Sequence, residues 1–211
     1  MPIQLIVGVG PAVINVGGGF GIRYTDDDTP LPESDYAAAI IATLKAKAEA
    51  FAWPMPEIWI EPGRSIVGPA GQTLYTIGSR KDIPDLRQYL AVDGGMGDNI
   101  RPALYQANYD AVLANDPNAP TTEVVRVAGK YCESGDVLVW EQALPQTKPG
   151  DILAVQATGA YGYAMASNYN RNPRPAVVFV ENGAHQLVVA RETYADIVAL
   201  DRDYDLASTP E

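Results

Sequence analysis

One arrangement constrains the fold of this chain more than any other: two loop motifs set on either side of a single helix. Val13-Ile14-Asn15-Val16, a short β-branched run, enters the glycine cluster GGGFG, Gly17 to Gly21, as a buried parallel strand enters a loop. Forty residues after Gly21, the apolar run Ile58-Trp59-Ile60 ends in EPGR, Glu61 to Arg64. Between the motifs, an acidic, proline-bearing loop, Asp26 to Glu33, leads into an Ala-rich helix expected to reach Ala52, with Ser34 or Asp35 as its N-cap. Ile40, Ile41, Leu44 and Phe51 form its apolar face, and Pro54 and Pro56 stop it. The order strand, loop, helix, strand is one βαβ unit, which favours parallel pairing with a right-handed crossover.

After Arg64 the pattern changes to short runs of high β-propensity separated by Gly, Pro and Asp turns. The expected strands are Thr73 to Ile77, Tyr89 to Val92, Glu123 to Val127, Val137 to Trp140, Ile152 to Gln156 and Ala176 to Val180. Leu187 to Ala190 is expected to pair with the last of these across Glu181-Asn182-Gly183-Ala184, and a short helix near Thr193 to Leu200 closes a mostly antiparallel β-domain. The opening Met1 to Ala12 is less readable, and the tail Asp201 to Glu211 reads as frayed.

An apolar fraction of 47% over 211 residues is ample for a packed core, so the class is globular. The formal charge of −11, without a Lys/Arg cluster, argues against nucleic acid as a partner. One cysteine, Cys132, excludes an intrachain disulfide framework. The glycine-broken stretch Ile3 to Val16 is too short to span a bilayer, and no basic leader precedes it, so the expected location is cytoplasmic, away from membranes.

The motifs suggest chemistry, each beside a plainer alternative. GGGFG offers backbone N–H groups near a helix start with no side chains in the way, which suits a phosphate; a tight turn needing positive φ explains the glycines equally well. Glu61, at the carboxyl edge of a parallel strand, is placed to pair with a protonated ring nitrogen, and Arg64 with a phosphate or carboxylate; an internal Glu61–Arg64 ion pair is the alternative. Three glycine-dense clusters follow, Asp93 to Tyr105, Gly129 to Asp136 and Thr158 to Asn170, which look like binding loops on a scaffold. Cys132 is either an inert buried thiol or a proton donor. His185 reads as a solvated turn residue, and no His/Cys set has metal-ligand spacing.

Taken together, GGGFG, EPGR, VDGGMGDNIRPALY, CESGD, GAYGYAMASNYN and RPAVVFV resemble the C-terminal part of the diaminopimelate decarboxylase family, fold-type III pyridoxal-phosphate enzymes. The resemblance runs from about Val13 to Asp201. It implies that residues 1–70 are the last two or so βα units of a cofactor-binding (β/α)8 barrel and that 71–211 form a β-domain carrying substrate and interface loops. It implies that Gly17, Gly18, Gly19 and Gly21 bind the phosphate of pyridoxal 5'-phosphate, that Glu61 pairs with its ring nitrogen, and that Gly63, Arg64 and Tyr161 belong to the cofactor site. Arg64, Arg101, Tyr105 and Tyr161 would hold an amino-acid substrate. Cys132 would enter the partner subunit's site of a homodimer as proton donor, with Glu133 toward the substrate's distal amine.

The implied reaction is decarboxylation of meso-2,6-diaminopimelate to L-lysine. A related decarboxylase acting on ornithine, arginine or carboxynorspermidine is the second reading, and a non-catalytic dimerising paralogue the third. The family also uses a cofactor-bearing lysine and a ring-stacking histidine from earlier barrel strands, and none of Lys45, Lys47, Lys81, Lys130 and Lys148 has that setting. A complete barrel takes roughly 200 residues or more. The chain is therefore expected to be a C-terminal portion, inactive alone, with a separate N-terminal barrel half as a candidate partner.

Overall fold

The computed structural model describes residues 10–204. Strand β1 (Val13–Asn15) and strand β2 (Glu57–Trp59) pair in parallel, with Ile14 opposite Ile58, and helix α1 (Glu33–Ala50) crosses between them. The βαβ reading is thus correct, with changes at the helix. Pro32 is the N-cap and no side chain caps the first turn, so neither Ser34 nor Asp35 does the work expected of it. Pro32 supplies a fixed φ and needs no donor, which is sufficient to start a helix whose first turn already carries Glu33 and Asp35. The inward line is half-buried Tyr36, Ile40 and Leu44 with buried Ala48, at strict i+4 spacing; Ile41 lies outside it, exposed, and Phe51 sits past the last turn. The stretch Met1 to Ala12 falls mostly outside the described residues.

Helix α2 (Arg64–Val67) follows EPGR directly. Beyond it β3 (Thr73–Ile83), β4 (Arg87–Val92), β5 (Ala111–Leu113), β6 (Glu123–Ala128), β7 (Val137–Leu144) and β8 (Ile152–Val155) form one sheet in the order β5-β8-β3-β4-β6-β7. Strand β3 is long enough to serve two neighbours: its first half pairs with β8 and its second with β4. Gly78 is the extra residue between the Ile77–Val92 and Ser79–Ala91 pairs, a bulge at which the strand can bend from one partner to the other. The sheet curls until its edges meet, where the Ala111 N–H on β5 donates to Gln142 Oε1 on β7 at 2.7 Å. Most pairs are antiparallel as expected, but β4 and β6 run parallel.

Inward positions alternate along the strands, so Tyr75 and Ile77, Leu90 and Val92, and Val125 and Val127 fill one core with Leu138 and Leu153. Each such aliphatic side chain contributes roughly 1.5–3 kcal/mol on burial. The three-residue β5 carries too little pattern to be read from sequence. Hairpin strands β9 (Val177–Glu181) and β10 (Ala184–Val189) pair separately. The turn is Asn182-Gly183, with φ of 51° and 79°, so it is two residues long and His185 belongs to β10, exposed opposite Val180. Helix α4 (Tyr194–Val198) starts from a capping box between Thr193 and Asp196. Asp201, expected to fray, instead accepts from the Arg171 guanidinium at 2.7 Å; residues 205–211 lie outside the description. Among the described residues no helix is long and apolar enough to cross a membrane.

Candidate active site

Two short parallel strands set the first part of the site. β1 leads into the glycine loop and β2 into Glu61, and the pairing continues past both: Val16 N–H donates to the Trp59 carbonyl at 3.0 Å and Glu61 N–H to the Gly17 carbonyl at 2.8 Å. Gly17 and Gly19 have φ of 75° and 83°, the left-handed region that favours glycine. Gly18 is required for a different reason, because a Cβ there would collide with the Glu61 carbonyl. The glycine loop and the EPGR glutamate are therefore in direct backbone contact. The loop does not open a helix, since α1 begins only at Glu33 and the acidic, proline-containing stretch between them is irregular. Among the described residues the Gly18 and Gly19 N–H groups have no acceptor, so both donors stand free on an exposed loop.

The Glu61 carboxylate is exposed and accepts from Asn15 Nδ2, while Asn15 Oδ1 takes the Gly17 N–H at 2.8 Å. Asn15 thus orients glutamate and glycine loop at once. Among the described residues no Glu61–Arg64 ion pair forms, so the internal salt bridge weighed from sequence is absent.

Arg64 starts α2, and Tyr161 comes to it from 97 positions along the chain. The docking is backbone on backbone: Thr158 N–H donates to the Gly71 carbonyl at 2.9 Å and Gly159 N–H to the Gly68 carbonyl at 3.1 Å. A Cβ on Gly159 would strike the Val67 carbonyl, and one on Gly71 the Gly159 backbone. Tyr161 itself adopts φ of 62° and projects its hydroxyl toward Gly63. Its ring lies 5.7 Å from both the Arg64 and the Arg101 guanidinium carbons. Arg101 is the first residue of helix α3 (Arg101–Tyr105), buried, with Tyr109 Oη accepting from its guanidinium. Burial disfavours its charge, but the phenols of Tyr109 and Tyr24 outweigh that and the net shift is upward. The RPALY segment, taken from sequence as part of a loop, is this short helix, with Pro102 in its first turn where no donor is needed. Tyr105, at its far end, is 60% exposed.

Cys132 and Glu133 lie on another loop. Both are exposed, and Glu133 accepts from Ser134 Oγ at 3.3 Å. Their loop is fixed by Asp136, whose buried carboxylate accepts the Tyr131 N–H at 2.8 Å and the Met96 N–H at 2.6 Å. Gly95 and Gly129 are bare where that carboxylate passes. Burial raises the Asp136 carboxyl above the usual carboxylate range against these two donors, and it raises Asp98 next to it in the same direction. Burial, with Asp98 and Asp136 nearby, pushes the Tyr131 phenol up to about 12. Lys130 N–H to Gly94 at 2.9 Å and Ser167 N–H to Gly97 at 2.9 Å tie the three glycine-dense loops to one another.

The structure therefore gathers Gly17, Gly18, Gly19, Glu61, Gly63, Arg64, Arg101 and Tyr161 through direct contacts, and leaves Cys132, Glu133 and Tyr105 exposed. Asn15, Tyr24, Tyr109 and Asp136 were missed from sequence. Asn15, two residues before a Gly-Gly pair, is the one with a local signal, that of an Asx turn.

A strand-paired glycine loop in contact with a sheet-edge glutamate, beside a curled, mostly antiparallel sheet with glycine-dense loops, defines an α/β unit joined to a β-domain. Residues 27–159 match the family model described as pyridoxal-dependent decarboxylase, C-terminal sheet domain, and the chain belongs to that family. It is 63% identical over 189 residues to the diaminopimelate decarboxylase of Bacillus subtilis, covering 90% of this chain and 43% of that protein. The diaminopimelate decarboxylase of Halalkalibacterium halodurans is 60% identical over 194 residues, 92% of this chain and 44% of that one. The crystal structure of diaminopimelate decarboxylase from M. jannaschii superposes with a TM-score of 0.87 at 37% identity, covering 96% of this chain and 45% of that chain. The chain thus spans less than half the length of these relatives.

Proposed function

We propose that this chain supplies the glycine loop, ring-partner carboxylate and substrate arginines of a pyridoxal-phosphate enzyme that decarboxylates meso-2,6-diaminopimelate to L-lysine. The observation that carries this reading is the contact between Gly18 and the Glu61 carbonyl, with Arg64 and Arg101 both against the Tyr161 ring close by. These residues fit the cofactor. The free Gly18 and Gly19 N–H groups suit a phosphate dianion, and the exposed Glu61 carboxylate, set by Asn15, suits a protonated pyridine. When bound, the cofactor supplies an electron sink for the pair left on Cα as CO2 departs.

The chain's own residues then have distinct tasks. Glu61 holds the proton on the ring nitrogen. Arg64 and Arg101 take a carboxylate, which distinguishes a dicarboxylic diamino acid from a plain diamine precursor such as ornithine. Cys132, through its thiol, returns a proton to Cα, and Glu133 meets the distal ammonium. The exposure of Cys132 and Glu133 supports their reaching the site of a second copy in a homodimer. Residues 1–70 in this reading are barrel and 71–211 the sheet domain, and the enzyme works in the cytoplasm.

The test is to combine the chain with a barrel half carrying the cofactor-bearing lysine and to follow CO2 and L-lysine release. Glu61→Ala is expected to lower kcat by about 10²-fold or more with little change in KM. A mixture inert on diaminopimelate, ornithine and arginine alike overturns the enzyme reading.

A further inference from the structure

Tyr24 follows the glycine loop by three residues and has no role in the chemistry above. Its ring is nonetheless a meeting point of the two substrate arginines. The Arg101 guanidinium carbon lies 4.9 Å from the Tyr24 centroid and that of Arg64 5.9 Å from it. Tyr161 is the other ring that both cations share. Among the described residues neither arginine has a carboxylate partner, so two like charges stand close together without internal compensation. Such a pair needs something to hold it together until an anion arrives, and the negative face of an aromatic ring does this without using the N–H donors the anion will need.

Tyr24 is itself firmly placed. Its N–H donates to Asp28 Oδ2 at 3.0 Å, its carbonyl accepts from Asp110 N–H at 3.3 Å, and its ring packs edge-on against Tyr109 with centroids 5.3 Å apart. Its hydroxyl, by contrast, is buried and has no hydrogen-bond partner among the described residues, whereas the Tyr109 hydroxyl is engaged by Arg101.

We propose that Tyr24 is a positioning residue for substrate: its ring face, and not its hydroxyl, holds Arg64 and Arg101 side by side so that both meet one carboxylate. The proposal rests on the functional reading above and adds a specificity element to it. Tyr24 carries the glycine-loop segment to an arginine of the sheet domain, so substrate grip and cofactor loop are set by one side chain.

The experiment compares Y24F, Y24L and Y24M in the assembled enzyme and by calorimetric titration of the same samples with pimelate, a dicarboxylate without amines. Y24L and Y24M fill the space without a ring and are expected to raise KM for diaminopimelate about tenfold with kcat within threefold, and to weaken pimelate by a similar factor. Y24F, which keeps the ring, is expected to restore both values. Unchanged pimelate affinity in the ring-less variants, or Y24F as damaging as Y24L, overturns the proposal. Should Y24L unfold, Y24M and Y24F decide it; should both ring-less variants unfold, loss of pimelate binding in folded Y24F overturns it and wild-type affinity supports it. Wild-type enzyme that binds pimelate but leaves diaminopimelate untouched fails the functional reading while the titration still judges Tyr24.

Discussion

At the scale of single residues, the site depends on carboxylates and amides that organise backbone more than on groups that react. Asn15 bridges Glu61 and Gly17, and Asp136 bridges Met96 and Tyr131. Asp136→Asn leaves one backbone N–H facing an amide NH2, which is expected to cost about 1–3 kcal/mol in urea unfolding. The pH dependence has a definite sign. Burial raises the folded-state Asp136 carboxyl above its unfolded value near 3.8. Its contribution is therefore fully present below pH 3.8 and declines as pH rises through the raised folded value, because the unfolded chain releases the proton first. Comparison of stability against pH for wild type and Asp136→Asn should show that downward slope in wild type and its loss in the variant; parallel curves would refute the assignment. Little of this was legible beforehand. Glu61, Arg64, Arg101 and Tyr161 stand in motifs, but Asp136 and Tyr24 act on partners 40 and 77 positions away, and one-dimensional spacing carries no trace of that.

At the scale of elements, the decisive joint is between α2 and the Thr158–Tyr161 loop. Gly71 and Gly159 let two backbones touch, and that contact carries Tyr161 to Gly63 and Arg64. Gly159→Ala puts a methyl group into the Val67 carbonyl, which is expected to cost about 1–3 kcal/mol in a thermal or urea melt and to displace Tyr161 from Arg64 in a crystal structure. A melt and a Tyr161 position identical to wild type would show that the joint is not tight. Strand and helix types were readable where a pattern was clear: β3, β6, β7 and α1 begin where alternation or Ala-rich helical pattern predicts them, but β3 runs on to Ile83 and β7 to Leu144, past the expected ends at Ile77 and Trp140. The short elements β5 and α3 were not, since three to five residues hold too few repeats for a period to emerge.

At the scale of the whole molecule, all five lysines are exposed and none sits on the glycine loop or EPGR: Lys45 and Lys47 ride on α1, Lys81 on β3, and Lys130 and Lys148 in loops of the sheet domain. Incubation of the chain with pyridoxal phosphate followed by borohydride should accordingly give no stoichiometric adduct on any one lysine by peptide mass mapping; a single lysine fully labelled would contradict this. The sequence by itself determined the kinds of element, the βαβ order and the motifs of the family, because these rest on local periodicity and on residues set close together along the chain. Only the tertiary structure decided that the glycine loop touches Glu61 rather than capping a helix. It alone placed Tyr24 and Tyr161 around two arginines that have no carboxylate partner among the described residues, and set Cys132 and Glu133 on an exposed loop. Those relations arise from where a curled sheet and a βαβ unit bring distant backbones into contact, and burial and close approach of that kind exist only in three dimensions.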